Sequence, residues 1–584
     1  MQTYLADKER LRGLIEVAAG RRPAELCIRN GRVLNVYTGE ILEEDILISD
    51  GHIAALGRGY IAKQTIDAEG AYIVPAFIDA HIHVESSCTS PEELGRLLIP
   101  HGTGTIIADP HEIVNVRGLD GLNYMLRAAE HTPLDIRYMM PSCVPATEQE
   151  HSGAVLGAAE MAEPLAREEI QGVGEFMDFP GVVQAKEAVL DKLVLGHKLG
   201  KVIDGHSPGL EGQGLAAYIA SGIKTDHECA TVEEARERLR RGMYVQLRLG
   251  SACHDLPNLV PVVDAVNYRR CLLCSDDRQA KTILEQGHME EHLRLCVAHG
   301  ISAHQAICMA SLNAAECYGL TDRGAIAPGL RADLVFLDNL KDFHVLRCFL
   351  GAVEQARDGR YLGPRTRASL EGVEKSCCVK DFSQERLALP LKQERVRVIG
   401  IQPGGVLTAA QEARVRRDAE GCFCYNPEQD IVKLAVIERH HGLGNVALGL
   451  LGNYGLRRGA IAQSIAHDSH NILVAGCNDA DMAQAVERLL AIDGGVVLVA
   501  EGQVLAELSM PIAGLMSDQP GEYVAEKLEE IHQLAIQELG VHASLDPTMT
   551  LGFMSLAVIP ELKLTDMGLF DVGRFDFVDL ELEG

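Results

Sequence analysis

The sequence predicts an α/β protein: a (β/α)8 barrel of the TIM type, a small split β-sandwich beside it, and a further α/β domain toward the C-terminal end. Three observations carry this. Apolar, β-rich runs recur eight times between residues 74 and 277, with helix-like stretches between them. Two strand-rich segments, 25–57 and 324–340, flank that region and share an alternation of apolar and polar residues between glycine turns. Residues 380–584 follow a third pattern, in which strands, glycines and helices such as DADMAQAVERLLAI are mixed.

The length of 584 residues already exceeds what one hydrophobic core supports. The expected domains are 1–70 with 325–375 for the sandwich and an N-terminal helix, 71–324 for the barrel, and 380–584 for the last. The eight runs are VPAFIDAHIHV, TGTIIADP, DIRYMMPSCV, GVGEFMDFP, VIDGHSP, IKTDHECA, MYVQLRLGS and RRCLLCSDD. Helices are expected between them at 184–200 and 231–242. The latter opens on Thr231 with Glu234 three residues on, the pattern of a capping box. A doubly wound open sheet would use the same alternation. The barrel is preferred because ligand-type residues gather where the strands end, which is where barrel enzymes build their sites.

Charge and composition bound the function. A formal charge of -29 argues against a nucleic-acid surface or an anionic membrane as partner, but not against a small base held in a pocket. No run approaches the 18 or so apolar residues that a membrane span needs. The first twenty residues have no apolar stretch of the export type. With no export signal beside them, the sixteen cysteines are expected to be reduced thiols, and the location cytoplasmic. The last region is available to cover the barrel mouth or to build an oligomer, and a homodimer is the expectation.

The chemistry starts at His81 and His83. Residues two apart on a strand face the same side, so both imidazoles can reach one ion. A lone HxH pair is a weak signal. Four further residues strengthen it: Glu175 after the fourth strand, His206 after the fifth, His227 after the sixth and Asp276 after the eighth. All are nitrogen or oxygen ligands suited to Zn, Mn or Fe(II). Two divalent cations sharing a water would lower its pKa strongly; one Zn alone brings it from roughly 15.7 to about 7.

PAFIDAHIHVES closely resembles the first-strand signature of the amidohydrolase superfamily, and GAIAPGLRADLVFLD resembles its closing sandwich segment. Ala76 stands where that signature usually has glycine, which touches a turn and no ligand. Many binuclear members bridge their metals with a carboxylated lysine after strand four; this sequence has Glu175 there, whose two oxygens can do the same. The resemblance implies His81, His83 and Asp276 on one ion, His206 and His227 on the other, and Glu175 across both. The expected cofactor is therefore two divalent ions, Mn2+ first, with Fe2+ or Zn2+ as alternatives.

HGTGTIIADPHEIVNVRG, GHSPGLEG, SDDRQ, LSMPIAGLMSD and VIPELKLTDMGLFDV resemble the bacterial adenine deaminases within that superfamily, over nearly the whole chain. The implied reaction is adenine plus water to hypoxanthine plus ammonia. Asp276 would accept the proton of the attacking water and pass it to the leaving group. His111 and Glu112 are the candidates for catalytic groups near the base, with their division of roles open. Asp109 and Arg278 are candidates for substrate binding. A loop-capping or solvent-facing ion-pair role is the plain alternative for these pocket residues. His467, Asp468 and His470 form either another metal site or a hydrogen-bonded loop. The rival readings are a ring amidohydrolase of the dihydroorotase or hydantoinase kind, and a catalytically dead scaffold. The intact ligand set speaks against the second.

Overall fold

The computed structural model describes residues 2–582. Its central sheet is parallel and runs through eight strands, each where a β-rich run was read. They are β1 (Phe77–His83), β2 (Thr103–Ala108), β3 (Asp135–Met140), β4 (Ile170–Phe176), β5 (Val202–Gly205), β6 (Thr225–Asp226), β7 (Tyr244–Arg248) and β8 (Cys271–Cys274, continued by Asp276–Asp277). β1 to β5 form one ladder, and β6 to β8 a second. The sheet curls, so that Asp276 pairs with Ile82 and Asp277 with His83, which returns the last strand to the first. Between β5 and β6 the backbone contact is Lys224 N–H donating to the Ile203 carbonyl at 3.0 Å. All seven residues of β1 and all six of β2 are buried. Burial on both faces explains why these strands do not alternate apolar and polar residues as half-exposed strands do.

Helices connect the strands on the outside. Val232–Arg240 shows the capping box read from sequence: Glu234 N–H donates to Thr231 Oγ1 and Thr231 N–H to the Glu234 carboxylate. Arg238 on this helix is buried and donates through Nε to Asp226 at 2.8 Å and through Nη2 to the Ser207 carbonyl at 2.7 Å. It ties the tips of β5 and β6 together.

The flanking segments pair with each other. Tyr72–Pro75 pairs antiparallel with Leu334–Leu337 and parallel with Arg32–Leu34. A second sheet holds Ala24–Arg29, Ile46–Ser49, His52–Leu56 and Ala62–Asp67.

The C-terminal region departs from the α/β expectation. Its eight-stranded sheet is antiparallel except for Arg395–Ile401 beside Val446–Gly452. Strands joined by tight turns do not need the crossover helices that a parallel arrangement requires. The helix Asp479–Ala491 packs on one face of the sheet and Gly521–Gln537 on the other, within separate apolar clusters. Ile512, Ala513, Leu515 and Met516 leave this region and pack into the same core as the parallel strands.

Arg238→Met should destabilise the protein by about 3–5 kcal/mol, because it strands the buried Asp226 carboxylate. Burial alone would raise the Asp226 pKa, and Arg238 outweighs it to hold it below the ordinary carboxylate value. The stabilisation is therefore present above about pH 4 and is lost as pH falls below the unfolded value. Thermal melts of both proteins across pH check this; equal melting temperatures at pH 7 would remove Arg238 from that role.

Candidate metal centre

The six predicted ligands converge at the C-terminal ends of the parallel strands. His81 and His83 both point inward from the end of β1, their Nε2 atoms 3.2 Å apart. The outer side of each ring sets its tautomer. His81 Nδ1 faces Asp204 Oδ2 at 3.2 Å, and His83 Nδ1 faces the Asp109 carbonyl at 3.0 Å. Each Nδ1 therefore carries the proton, and each Nε2 presents a lone pair to the interior.

Glu175 faces both halves of the cluster. Its Oε1 lies 3.4 Å from His83 Nε2, and its Oε2 lies 2.8 Å from His206 Nδ1 and 3.3 Å from His227 Nε2. Asp276 Oδ1 lies 3.1 Å from His83 Nε2 and 3.5 Å from His81 Nε2. The Asp276 backbone is left-handed, with φ 59°. The residue before it is clamped: Ser275 donates to Asp79 through both its N–H, at 3.0 Å, and its Oγ, at 2.5 Å. His288 Nε2 lies 3.0 Å from the same carboxylate. Burial would raise the pKa of Glu175 and Asp276. The imidazoles around each, with Arg248 beside Asp276, outweigh it and hold both well below the usual range.

The donors are all nitrogen and oxygen. One atom each from His81, His83 and Glu175 lie within 4.8 Å of one another, as do atoms from Glu175, His206 and His227, and from His81, His227 and Asp276. Such a set fits borderline or hard divalent cations.

Of the expected pocket residues, two stand beside this cluster. His111 Nδ1 is 3.3 Å from Glu175 Oε1, and its Nε2 is 3.9 Å from Asp468 Oδ1 of the C-terminal region. Burial would depress this imidazole, but the carboxylates of Asp109 and Asp468 push it up to about 10. Glu112 faces the same region, with Oε1 3.3 Å from His467 Nδ1. Burial and Glu112 together push the Glu85 carboxyl up to about 7.

Asp109 and Arg278 lie elsewhere than expected. Asp109 is fully buried behind the donors and accepts the Glu175 N–H at 2.8 Å, so it braces β4 against β2. Its carboxylate also fills the space that a Cβ on Gly174 would need. Arg278 turns away from the cluster and donates to the carbonyls of Leu249 at 2.9 Å and Gly287 at 2.8 Å, and to Glu291. The ion pair foreseen as its alternative exists, but its guanidinium is buried rather than facing solvent.

Sequence reasoning missed Arg248 and Glu228. Arg248, at the end of β7, donates through Nη1 to Asp276 Oδ2 at 3.0 Å and to Glu228, and through Nε to Asp255 at 2.9 Å. Glu228 Oε1 lies 3.3 Å from His227 Nε2. The signal was available, since Arg248 occupies the same kind of strand end that singled out the ligands. A guanidinium has no lone pair for a metal, so a search for ligand types alone does not reach it.

Residues 72–381, which hold the parallel strands and the later part of the sandwich, match the amidohydrolase family. The adenine deaminase C-terminal domain matches residues 405–576. "Adenine deaminase 2" of Desulfotalea psychrophila is 55% identical, over 98% of this chain and 100% of that protein. "Adenine deaminase" of Ligilactobacillus salivarius is 48% identical, over 99% and 100%. "Adenine deaminase" of Clostridium acetobutylicum is 42% identical, over 97% and 99%. The buried nitrogen and oxygen cluster and the first of these matches define a metal-dependent hydrolase of the amidohydrolase class. With relatives this similar along its whole length, the chain belongs to the adenine deaminase family.

Arg248→Met should lower kcat/KM roughly 10–100-fold, as loss of a group that orients a metal ligand typically does. The ground is that Asp276 Oδ2 loses its donor and Glu228 its countercharge. Steady-state kinetics with parallel metal analysis check this; unchanged kcat/KM at full metal content would show that Arg248 does not set Asp276.

Proposed function

We propose that this protein hydrolyses adenine to hypoxanthine and ammonia, in purine salvage or catabolism, with two divalent cations held by His81, His83, Glu175, His206, His227 and Asp276. One observation carries the reading: Glu175 directs one oxygen to each half of a six-donor cluster, in a chain similar to adenine deaminases from end to end. The curled parallel sheet is read as a (β/α)8 barrel whose mouth carries this cluster. Mn2+ is the preferred ion, with Fe2+ and Zn2+ as alternatives, since the set has no thiolate. Bound there, the cations would supply a water of lowered pKa.

The chain's own part follows from geometry. Arg248 holds Asp276 Oδ2 while Oδ1 faces the cluster, so Oδ1 stands where it can take the proton of the attacking water. The water oxygen bonds to C6 as the C6–N1 π pair moves to N1, the bond from C6 to the amino nitrogen breaks, and that nitrogen leaves as ammonia with the proton from Asp276, while the second water proton ends on N1 of hypoxanthine. His111 and Glu112 stand on the side of the C-terminal domain, where the base would sit. Asp109 and Arg278 are structural supports in this reading. The sixteen cysteines are all free thiols, in keeping with a cytoplasmic setting. No helix among the described residues is long and apolar enough to cross a membrane. A homodimer is our reading of the assembly, checked by light scattering.

Asp276→Asn should keep the fold and lower kcat by roughly 10²–10⁴-fold, the contribution of a positioned proton acceptor. Near-normal turnover of a metal-replete variant would take Asp276 out of that role.

The substrate is tested with protein loaded with Mn2+ to about two equivalents. Ammonia release should follow adenine, with kcat/KM roughly 10²-fold or more above that for guanine or cytosine. Turnover of dihydroorotate alone would replace the deaminase reading with a ring amidohydrolase. Full activity at one equivalent would end the binuclear one.

A further inference from the structure

A cavity lies between the strand ends that carry the donor cluster and the C-terminal domain. Its walls differ in kind. One side carries Glu85, Ser86, Glu112 and Asp277, and the other carries Ile465, Val496, Leu515 and Met549, with His467 among them. Asp277 follows Asp276 directly, and the two share a group of donor atoms with His83. The cavity therefore adjoins the cluster. A flat heterocycle with apolar faces and a polar rim matches such a pair of walls.

Within it, Glu112 faces two histidines of the C-terminal domain. His467 Nδ1 lies 3.3 Å from Oε1, and His470 Nε2 lies 3.9 Å from Oε2. The Ala466 N–H donates to His470 Nδ1 at 3.1 Å, so the His470 proton sits on Nε2 and faces the carboxylate. His467 has little freedom. Its ring stacks on Phe553, with centroids 4.7 Å apart and planes 16° from parallel. Its N–H donates to the Gly552 carbonyl at 3.1 Å, and its own carbonyl accepts from Ser555 Oγ at 3.2 Å. Arg439 braces the loop from below, bonding the carbonyls of His470 and Ala513 and the Ser376 hydroxyl. Burial would raise the Glu112 pKa, but His467 outweighs it and holds the carboxyl far below its usual range. An ionised carboxylate only accepts hydrogen bonds.

We infer, resting on the proposed deamination, that Glu112 is a specificity-determining acceptor for the imidazole-ring N–H of the free base, and that His467 of the C-terminal domain is its positioning residue. A free purine base carries an N–H on that ring. A nucleoside or 9-alkylpurine carries carbon there and leaves a buried carboxylate oxygen without its donor, which is costly. In this role Glu112 reads the base and gives up no proton, so its loss appears in KM and in discrimination before it appears in kcat.

The test compares adenine with 9-methyladenine on the Mn2+-loaded wild type, Glu112→Gln and His467→Asn. For the wild type, kcat/KM should favour adenine by at least about 10-fold. In both variants that ratio should fall toward one, with KM for adenine raised about 10-fold or more and kcat changed far less. A wild type that turns over both bases equally, or variants that keep the wild-type ratio, would overturn the inference. So would a fall in kcat at unchanged KM, which marks a proton donor. Metal content and melting temperature are measured on each protein. If a variant fails to fold or to load metal, the wild-type ratio alone decides. A wild type that releases ammonia from neither base, and whose melting temperature hypoxanthine does not shift, instead removes the proposed function on which the inference rests.

Discussion

The direction of the two β1 histidines is decided on the sides of the rings that face away from the cluster. Asp204 holds His81 Nδ1, and the Asp109 carbonyl holds His83 Nδ1. Without these partners either ring could turn over, and the inward lone pairs would be lost. Asp204 is fixed in turn by Thr225 Oγ1 and the Tyr318 hydroxyl, which also donates to the Ala80 carbonyl. Asp109 has a double part, since its carbonyl aims one ligand and its carboxylate receives the N–H of another, Glu175. Five strands, β1, β2, β4, β5 and β6, are thus tied through polar groups buried beneath the donors, and the placement of His81, His83 and Glu175 follows from that layer.

The layer also explains how so much acidity is tolerated underground. Glu175, Asp276 and Glu228 are carboxylates that burial alone would drive toward the neutral form. Five imidazoles and Arg248 supply the opposing charge. The imidazoles are pushed upward by the same carboxylates, strongly at His83 and His227. Protons and divalent cations therefore compete for the same nitrogens, so acid weakens metal binding. Arg248 does not take part in that competition, because its guanidinium stays charged.

Much of this was legible in the sequence, for reasons that differ by element. The eight parallel strands stood out because burial on both faces makes most of them rich in apolar and β-branched residues. The candidate ligands stood out because a strand places alternate residues on one face and this fold gathers polar groups at strand ends. Asp109 and Arg278 misled for a related reason: a charged residue near a strand end is as readily a buried brace as a contact to substrate, and only the direction of its side chain separates the two. The C-terminal sheet was misread as α/β because strands and helices were present in the right amounts. Pairing direction, however, is set by turns and partners hundreds of residues apart. The meeting of Glu112 with His467, two residues far apart in the chain, has no local signature at all.

The sandwich strand Tyr72–Pro75 pairs with Leu334–Leu337, about 260 residues further on. The entropy of closing so long a loop is not recovered by four residue pairs alone. The intervening strands must first have collapsed and brought the two ends together. The sandwich is accordingly a late-forming seam in the folding order, and a chain stopped before residue 334 would leave the edge of Tyr72–Pro75 open to pairing with other chains.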